Sequence, residues 1–441
     1  MNILVLGGGG REHALTWRLA CDAGVSRIFC APGNAGIAQV AVTVPLDPAN
    51  PADVLAFVEE HDIALTVVGP ELPLTRGVVD LLSARGRLAF GPTRAAAEIE
   101  SSKVFAKEFM VRHRVPTADC EVCSSADAAR RVVASGRFGF PLVVKADGLA
   151  AGKGVIIAED RTVAFGAIDA IMVGRQFGEA GERVLIEECL AGPEVSFFVV
   201  SDGVRGLSFC SAQDHKRAYD DDRGPNTGGM GAFAPSPLVD AALAARIIDE
   251  VVTPTIDGMR AEGRPFRGFL YVGLMLTSGG PKVLEFNARL GDPEAQVLLP
   301  LLAEDLMPLL HDAAAGTLSR SSAVFASGAT VGVVLASGGY PDRYETRKPI
   351  AGLDEAAAAP GVLVFHAGTA IQGDQVVTSG GRVLTIVGRG PDYGSAIARA
   401  YEAVGRIAFE GMHWRRDIGA KAPGGARQGA PRDSQAAGEQ P

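Results

Sequence analysis

The stretch VVKADGLAAGKGVII, residues 143–157, sets Lys145 and Lys153 among glycines directly after an apolar run. Cations in a Gly-rich turn suit phosphate, because the bare backbone approaches closely while the ammonium neutralises charge. The spacing is not that of a Walker A loop. Three residues, not four, separate Gly148 from Gly152, and Gly154 stands where that loop carries its metal-binding hydroxyl. The residues fit a hairpin cover instead, with Lys145 as a fixed charge at a strand end and Gly152, Lys153 and Gly154 in a loop able to fold over a triphosphate. Further on, VLIEECLAGPE ends a strand in Glu187 and Glu188, with Leu190 and Glu194 beyond. Such a hinge could frame adenine and ribose; the plainer reading is a solvated acidic turn.

In VLEFNARLGDPE, Glu285 and Asn287 lie two apart on a strand and project from one face, as a magnesium ion completed by phosphate oxygens requires. Arg289 follows on that side and could bind a phosphoryl group or carboxylate bidentately. Taken alone, the pair also fits the ordinary outward alternation of polar residues on a strand. At the other end of the chain, LVLGGGGREHAL puts four glycines between a strand and a helix, a backbone cradle for an anion or simply a tight turn. It is not a dinucleotide fingerprint. Glu12 falls where the third glycine belongs, and the second strand ends Ala31-Pro32-Gly33 without a ribose-binding acid.

The elements that must position these residues follow from periodicity. Residues 1–100 alternate strand and helix as a doubly wound parallel sheet. Residues 101–325 form a larger α/β region opened by Ser101-Ser102-Lys103, with 119–188 as a nucleotide-covering subdomain; 326–419 read as a small C-terminal α/β appendage, and 420–441 as a disordered tail. The 441 residues carry 47% hydrophobic and 21% charged side chains, with no apolar run of membrane-span length. The net charge of −9, without a basic cluster interleaved with aromatics, argues against nucleic acid as a partner. The opening MNILVLG reads as a buried strand, not a secretory leader, so no membrane is expected and the cytoplasm is. Six cysteines in so long a chain read as small core residues, and Cys120-x-x-Cys123 has no second pair to make a zinc site.

Taken in order, GGREHAL, APGNAG, VVGPE, KADGLAAGKGV, SAQDHKR, GPNTGGMGA, EFNARLGDPE and VFHAGT resemble the ATP-grasp superfamily and, within it, the phosphoribosylamine–glycine ligases, over residues 2 to about 418. The resemblance implies an ATP-grasp fold and the condensation of glycine with 5-phosphoribosylamine through glycyl phosphate, early in purine synthesis. It implies ATP as co-substrate with Mg²⁺ or Mn²⁺, and a monomer. Lys103 and Lys145 would neutralise ATP phosphates, beside the cover residues Gly152, Lys153 and Gly154. Glu187, Glu188, Leu190 and Glu194 would frame adenosine, and Glu285 and Asn287 would hold the metal. Gly8, Gly9, Gly10, Arg11, Asp214, His215, Lys216, Asn226, Thr227, Gly228, Gly229, Arg289, Asp292 and Glu294 would line the pocket for the other two substrates. Lys145, Arg289 and Asp214 would act in catalysis, and Asp214 or His215 could accept the amine proton. Three departures stand out: Gly8 replaces a polar residue, Tyr219 a small one, and FLYVGLMLT offers no carboxylate for a second metal.

Overall fold

The computed structural model describes residues 1–148 and 154–425. The N-terminal sheet is five-stranded, in the order Val42–Thr43, Arg27–Pro32, Asn2–Gly7, Ile63–Val68, Ala89–Phe90. Every pairing in it is parallel. Strands buried on both faces read as unbroken apolar runs, and Ile3, Leu4, Val5 and Leu6 are all fully buried. The strand Asn2–Gly7 lies centrally, with Arg27–Pro32 on one side and Ile63–Val68 on the other. That reversal of order opens a crevice at its carboxyl end, where the Gly-rich turn sits.

Ser102 caps the helix Lys103–Arg112 by accepting from Phe105 N at 3.0 Å. Beyond it an antiparallel sheet runs in the order Cys120–Cys123, Val184–Glu188, Leu142–Ala146, Val155–Ala158. The pairing sets Glu187 opposite Val143, next to the strand that carries Lys145. Lys153 and Gly152 lie outside the described residues, whereas Gly154 closes the hairpin by accepting from Ala146 N at 2.8 Å.

The largest sheet has eight strands, in the order Gly280–Asn287, Arg267–Thr277, Glu194–Asp202, Gly206–Asp214, Gly231–Ala234, Ala329–Ala336, Arg382–Gly390, Val362–His366. It is continuous across residue 326, where the sequence suggested a separate appendage. The short strand Gly231–Ala234 pairs with Gln213 and Asp214 on one side and with Thr330–Val333 on the other. Period-two patterning identifies a strand but not its partner, so this link carried no sequence signal. Residues 420–425, expected to open a disordered tail, are part of the described structure. Ala422 is buried against the 329–418 core, and Lys421 pairs with Asp222; residues from 426 lie outside those described. Among the described residues no helix is long and apolar enough to cross a membrane.

Candidate active site

The Gly-rich turn is shaped by steric necessity at two positions. Gly7 has φ +123°, and a Cβ on Gly8 would stand 2.6 Å from the Gly33 carbonyl oxygen. The helix Gly10–Ala20 then starts with Glu12 folded back, its Oε2 accepting from Gly9 N at 2.7 Å and its Oε1 paired with Arg11 Nε at 2.6 Å. Glu12 thus occupies the space a third glycine would leave for a dinucleotide. Asn34 stitches the turn to the far end of the chain, donating to Gly8 O (3.0 Å) and His366 O (2.8 Å).

Between these segments lies a cavity of about 360 Å³, with Gly8, Gly9 and Asn34 on one side and Gly368, Thr369, Ser379 and Arg382 on the other. Asp292 forms its floor. That carboxylate accepts from Arg11 N at 3.4 Å and Gln296 Nε2 at 2.8 Å, and lies 3.5 Å from Arg382. Burial works to raise its pKa, but Arg382 and Arg11 outweigh it and hold the acid below its ordinary range. The substrate-pocket residues expected here are partly committed elsewhere. Arg11 donates to Leu290 O at 3.2 Å, and a Cβ on Gly10 would meet Gln296 at 2.3 Å. In the 225–231 loop, Asn226 pairs with Arg217, Thr227 Oγ1 donates to Lys216 O at 2.8 Å, and Gly228 N donates to Tyr340 Oη at 3.0 Å. Gly229 packs on Pro293, with φ +114°. The loop is braced from the C-terminal strands, and Arg382 donates to Gly228 O at 2.6 Å.

The side expected to face the nucleotide is made of charged side chains. Lys103 donates to Gly148 O at 2.7 Å, at the edge of the cover loop. Burial presses its pKa down, and Glu285 opposes that. Lys145, 8% exposed, pairs with Glu187 Oε2 at 2.8 Å and donates to Leu284 O at 3.2 Å. Glu187 is therefore a buried counter-ion, not an open acid in a hinge, and it also meets Lys107 at 3.2 Å. Glu188 accepts from Asp119 N at 3.0 Å and Lys282 Nζ at 2.9 Å, which together hold its pKa down. Leu190 is half-buried just beyond, and Glu194 pairs with Lys216 at 2.8 Å.

The strand Gly280–Asn287 brings the two sides together. Glu285 faces Lys103, and the amide of Asn287 satisfies its surroundings with nitrogen toward Glu100 Oε1 at 3.2 Å, which sets its oxygen on the opposite branch. Among the described residues no three His, Cys, Asp or Glu side chains gather around a metal position. Two protein oxygens with phosphate oxygens beyond suit Mg²⁺ and do not make a closed protein cage. Arg289 is held between Glu71 Oε2 and Glu100 Oε1, each at 3.0 Å, which pushes its pKa further up against the opposing effect of burial. Neither acid was singled out from the sequence, although Glu71 ends the motif VVGPE.

Asp214 and Glu294 form a buried acidic pocket. Burial and the neighbouring carboxylates raise Asp214, while burial and Asp214 push Glu294 up to about 7. Ser196 Oγ bridges the region, 3.2 Å from Tyr271 Oη and 3.3 Å from Glu294 Oε1. Lys216 stands 4.0 Å from Asp214, and the acids around it raise its pKa against burial. His215 points elsewhere, as strand alternation requires after Asp214. Its ring is buried near Phe233, in the field of Arg415 and Asp417, and burial lowers its pKa to about 4. The structure does not bring it to the substrate pocket.

Similarity to known proteins bears on this arrangement. Models of the phosphoribosylglycinamide synthetase N domain, ATP-grasp (A) domain and C domain match residues 1–100, 101–295 and 330–421. The chain is 48% identical to the phosphoribosylamine–glycine ligase of Pseudomonas syringae pv. tomato, over 96% of its own length and 98% of the relative's. It is also 48% identical to that of Chlorobaculum tepidum, over 96% and 100%. The crystal structure of phosphoribosylamine–glycine ligase from Thermotoga maritima superposes with a TM-score of 0.84 at 35% identity, covering 95% of this chain and 100% of that one. A biotin carboxylase–nucleotide complex from Campylobacter jejuni shares the fold, with a TM-score of 0.72 at 16% identity and coverage of 94% and 92%.

Proposed function

The chain belongs to the phosphoribosylglycinamide synthetase family, and from that premise we propose how its residues divide the work. It is an ATP-dependent ligase that joins glycine to 5-phosphoribosylamine in purine biosynthesis, giving glycinamide ribonucleotide. A carboxylate is a poor acyl donor, so phosphorylation of glycine to glycyl phosphate precedes attack by the amine. No protein nucleophile is needed. The task is placement and charge neutralisation in a water-poor site.

One observation carries the reading. Ten residues, 285–294, run from the metal-suited pair past Arg289 to the floor of the glycine-lined cavity, so a nucleotide on one side and an anionic sugar on the other converge on one short segment. The cavity holds the ribose phosphate against the Gly8–Gly9 turn, with the Gly8 amide and the guanidinium of Arg382 as donors. Lys103 and Lys145 hold the nucleotide phosphates. Mg²⁺ or Mn²⁺ held by Glu285 and Asn287 would screen charge between those phosphates and polarise the one transferred. Arg289, kept rigid by Glu71 and Glu100, faces the carboxylate of glycine as it becomes phosphorylated. Asp214 and Glu294 receive its ammonium, which relieves their mutual repulsion. All the residues assigned belong to one chain, which suits an enzyme acting as a monomer, and a step of purine biosynthesis suits the cytoplasm.

The test is ADP release with phosphoribosylamine made in situ from ribose 5-phosphate and ammonia. Turnover that requires glycine supports the reading. Turnover that requires bicarbonate instead, or none at all, ends it.

A further inference from the structure

We propose that Lys107 is a positioning residue, which acts through Glu187 to set where the Lys145 ammonium stands. Lys107 lies one turn beyond Lys103 on the helix Lys103–Arg112, so both project from the same face. It is only 3% exposed. An ammonium taken out of water is costly unless it is compensated, and here it donates to Thr117 Oγ1 at 2.8 Å and Ala118 O at 3.1 Å and is ion-paired with Glu187 Oε1 at 3.2 Å.

Two of those partners lie on the segment that leads into the four-stranded sheet. That segment is itself pinned to the metal-suited strand, since Thr117 Oγ1 donates to Val283 O and Val283 N to Pro116 O, both at 2.8 Å. The third partner, Glu187, holds Lys145 with its other oxygen. Lys107, Glu187 and Lys145 therefore form a buried row of alternating charge that starts on the body of the molecule and ends where the nucleotide phosphates bind. The row has an electrostatic consequence. Alone with Glu187, Lys145 would be half of a neutral pair with little attraction for phosphate. Lys107 shares the carboxylate, so the row keeps a net positive charge at the Lys145 end, where low dielectric makes it count. Burial pushes Lys107 toward its neutral form and Glu187 holds it charged, which ties the strength of the row to that contact.

The inference rests on the reading that Lys145 contacts the nucleotide. The experiment compares the wild type, Lys107→Met, Glu187→Gln, their double variant and Lys145→Met, following ADP release with ATP and glycine varied in turn. Lys107→Met is expected to lower kcat/KM for ATP by about tenfold or more, with the KM for glycine moving by less than about twofold. In the Glu187→Gln background the same change is expected to matter by less than about twofold, because no carboxylate is left to redirect. Unchanged kcat/KM for ATP, an equal factor in both backgrounds, or equal losses for ATP and glycine would overturn the proposal. A Lys145→Met enzyme with wild-type kinetics would instead bring down the nucleotide reading beneath it. Should Lys107→Met not fold, Lys107→Gln keeps a donor for Thr117 and Ala118 without the charge and is judged by the same outcomes.

Discussion

At the junction of the N-terminal sheet with the 362–390 strands, the site wall is mostly backbone. It consists of the Gly8–Gly9 turn, the Asn34 stitch, the Gly368–Thr369 turn and one guanidinium, Arg382, anchored on Gly228 and Asp292. Across the 285–294 segment, the wall proposed to face the nucleotide is built from side-chain charges, each lysine set against a carbonyl or carboxylate. The first wall is fixed before any ligand arrives, because amides and tight turns cannot swing away. The second is held by ion pairs whose partners can be exchanged for phosphate. A rigid recess suits a phosphate that is only bound, whereas exchangeable charges suit one that must be transferred and released.

The contrast can be broken most severely at Lys145. Lys145→Ala is expected to reduce turnover by about 10² or more, the scale of losing one charge-stabilising contact; single-turnover ADP formation measures it, and near-wild-type rates would remove that lysine from its role. Next in size is Arg382→Ala, which takes one charged donor from the other wall. The KM for phosphoribosylamine is expected to rise by about tenfold to a hundredfold. The ATP parameters should stay put in initial-rate kinetics, and a parallel loss for ATP would erase the distinction between the walls.

How far the sequence reaches divides along the same line. Lys145, Glu285, Asn287 and Arg289 could be singled out as candidates because a charged or chelating residue at or just beyond a strand end has few uses and a fixed phase, and Lys103 because it opens a helix behind Ser102. Ser379 and Arg382 could not, because they meet the Gly turn from hundreds of residues away and carry no local pattern. The same blindness hid the continuity of the large sheet through Gly231–Ala234. His215 shows the opposite error. Its residue type suggests proton transfer, but it follows Asp214 directly and so turns to the other face of the strand. Lys107 and Glu100 escaped because a buried ion-pair partner on a helix looks, in sequence, like any solvated charge.

Two smaller effects sharpen the comparison. A methyl at Gly8 would meet the backbone of Gly33 at 2.6 Å. Gly8→Ala is therefore expected to cost about 1–3 kcal/mol in denaturant unfolding, the usual range for overpacking; an unchanged midpoint would mean that the turn is less rigid than argued. The last is a pH effect. Glu294 is raised in the folded state from 4.5 to about 7, so the native protein holds that proton more tightly than the unfolded chain. The resulting stability is complete below about pH 4.5 and is lost as pH rises through 7. Relative to wild type, Glu294→Gln should melt progressively higher between pH 5 and pH 8. A difference that does not vary with pH would show that Glu294 is not the strained acid of the pocket.

If sugar phosphate and nucleotide are held by two walls of different construction, calorimetric titration of ligands into the variants will separate them. Arg382→Ala should lose affinity for glycinamide ribonucleotide and keep that for ADP, and Lys145→Ala should do the reverse. Matching losses of both ligands in both variants would contradict the account.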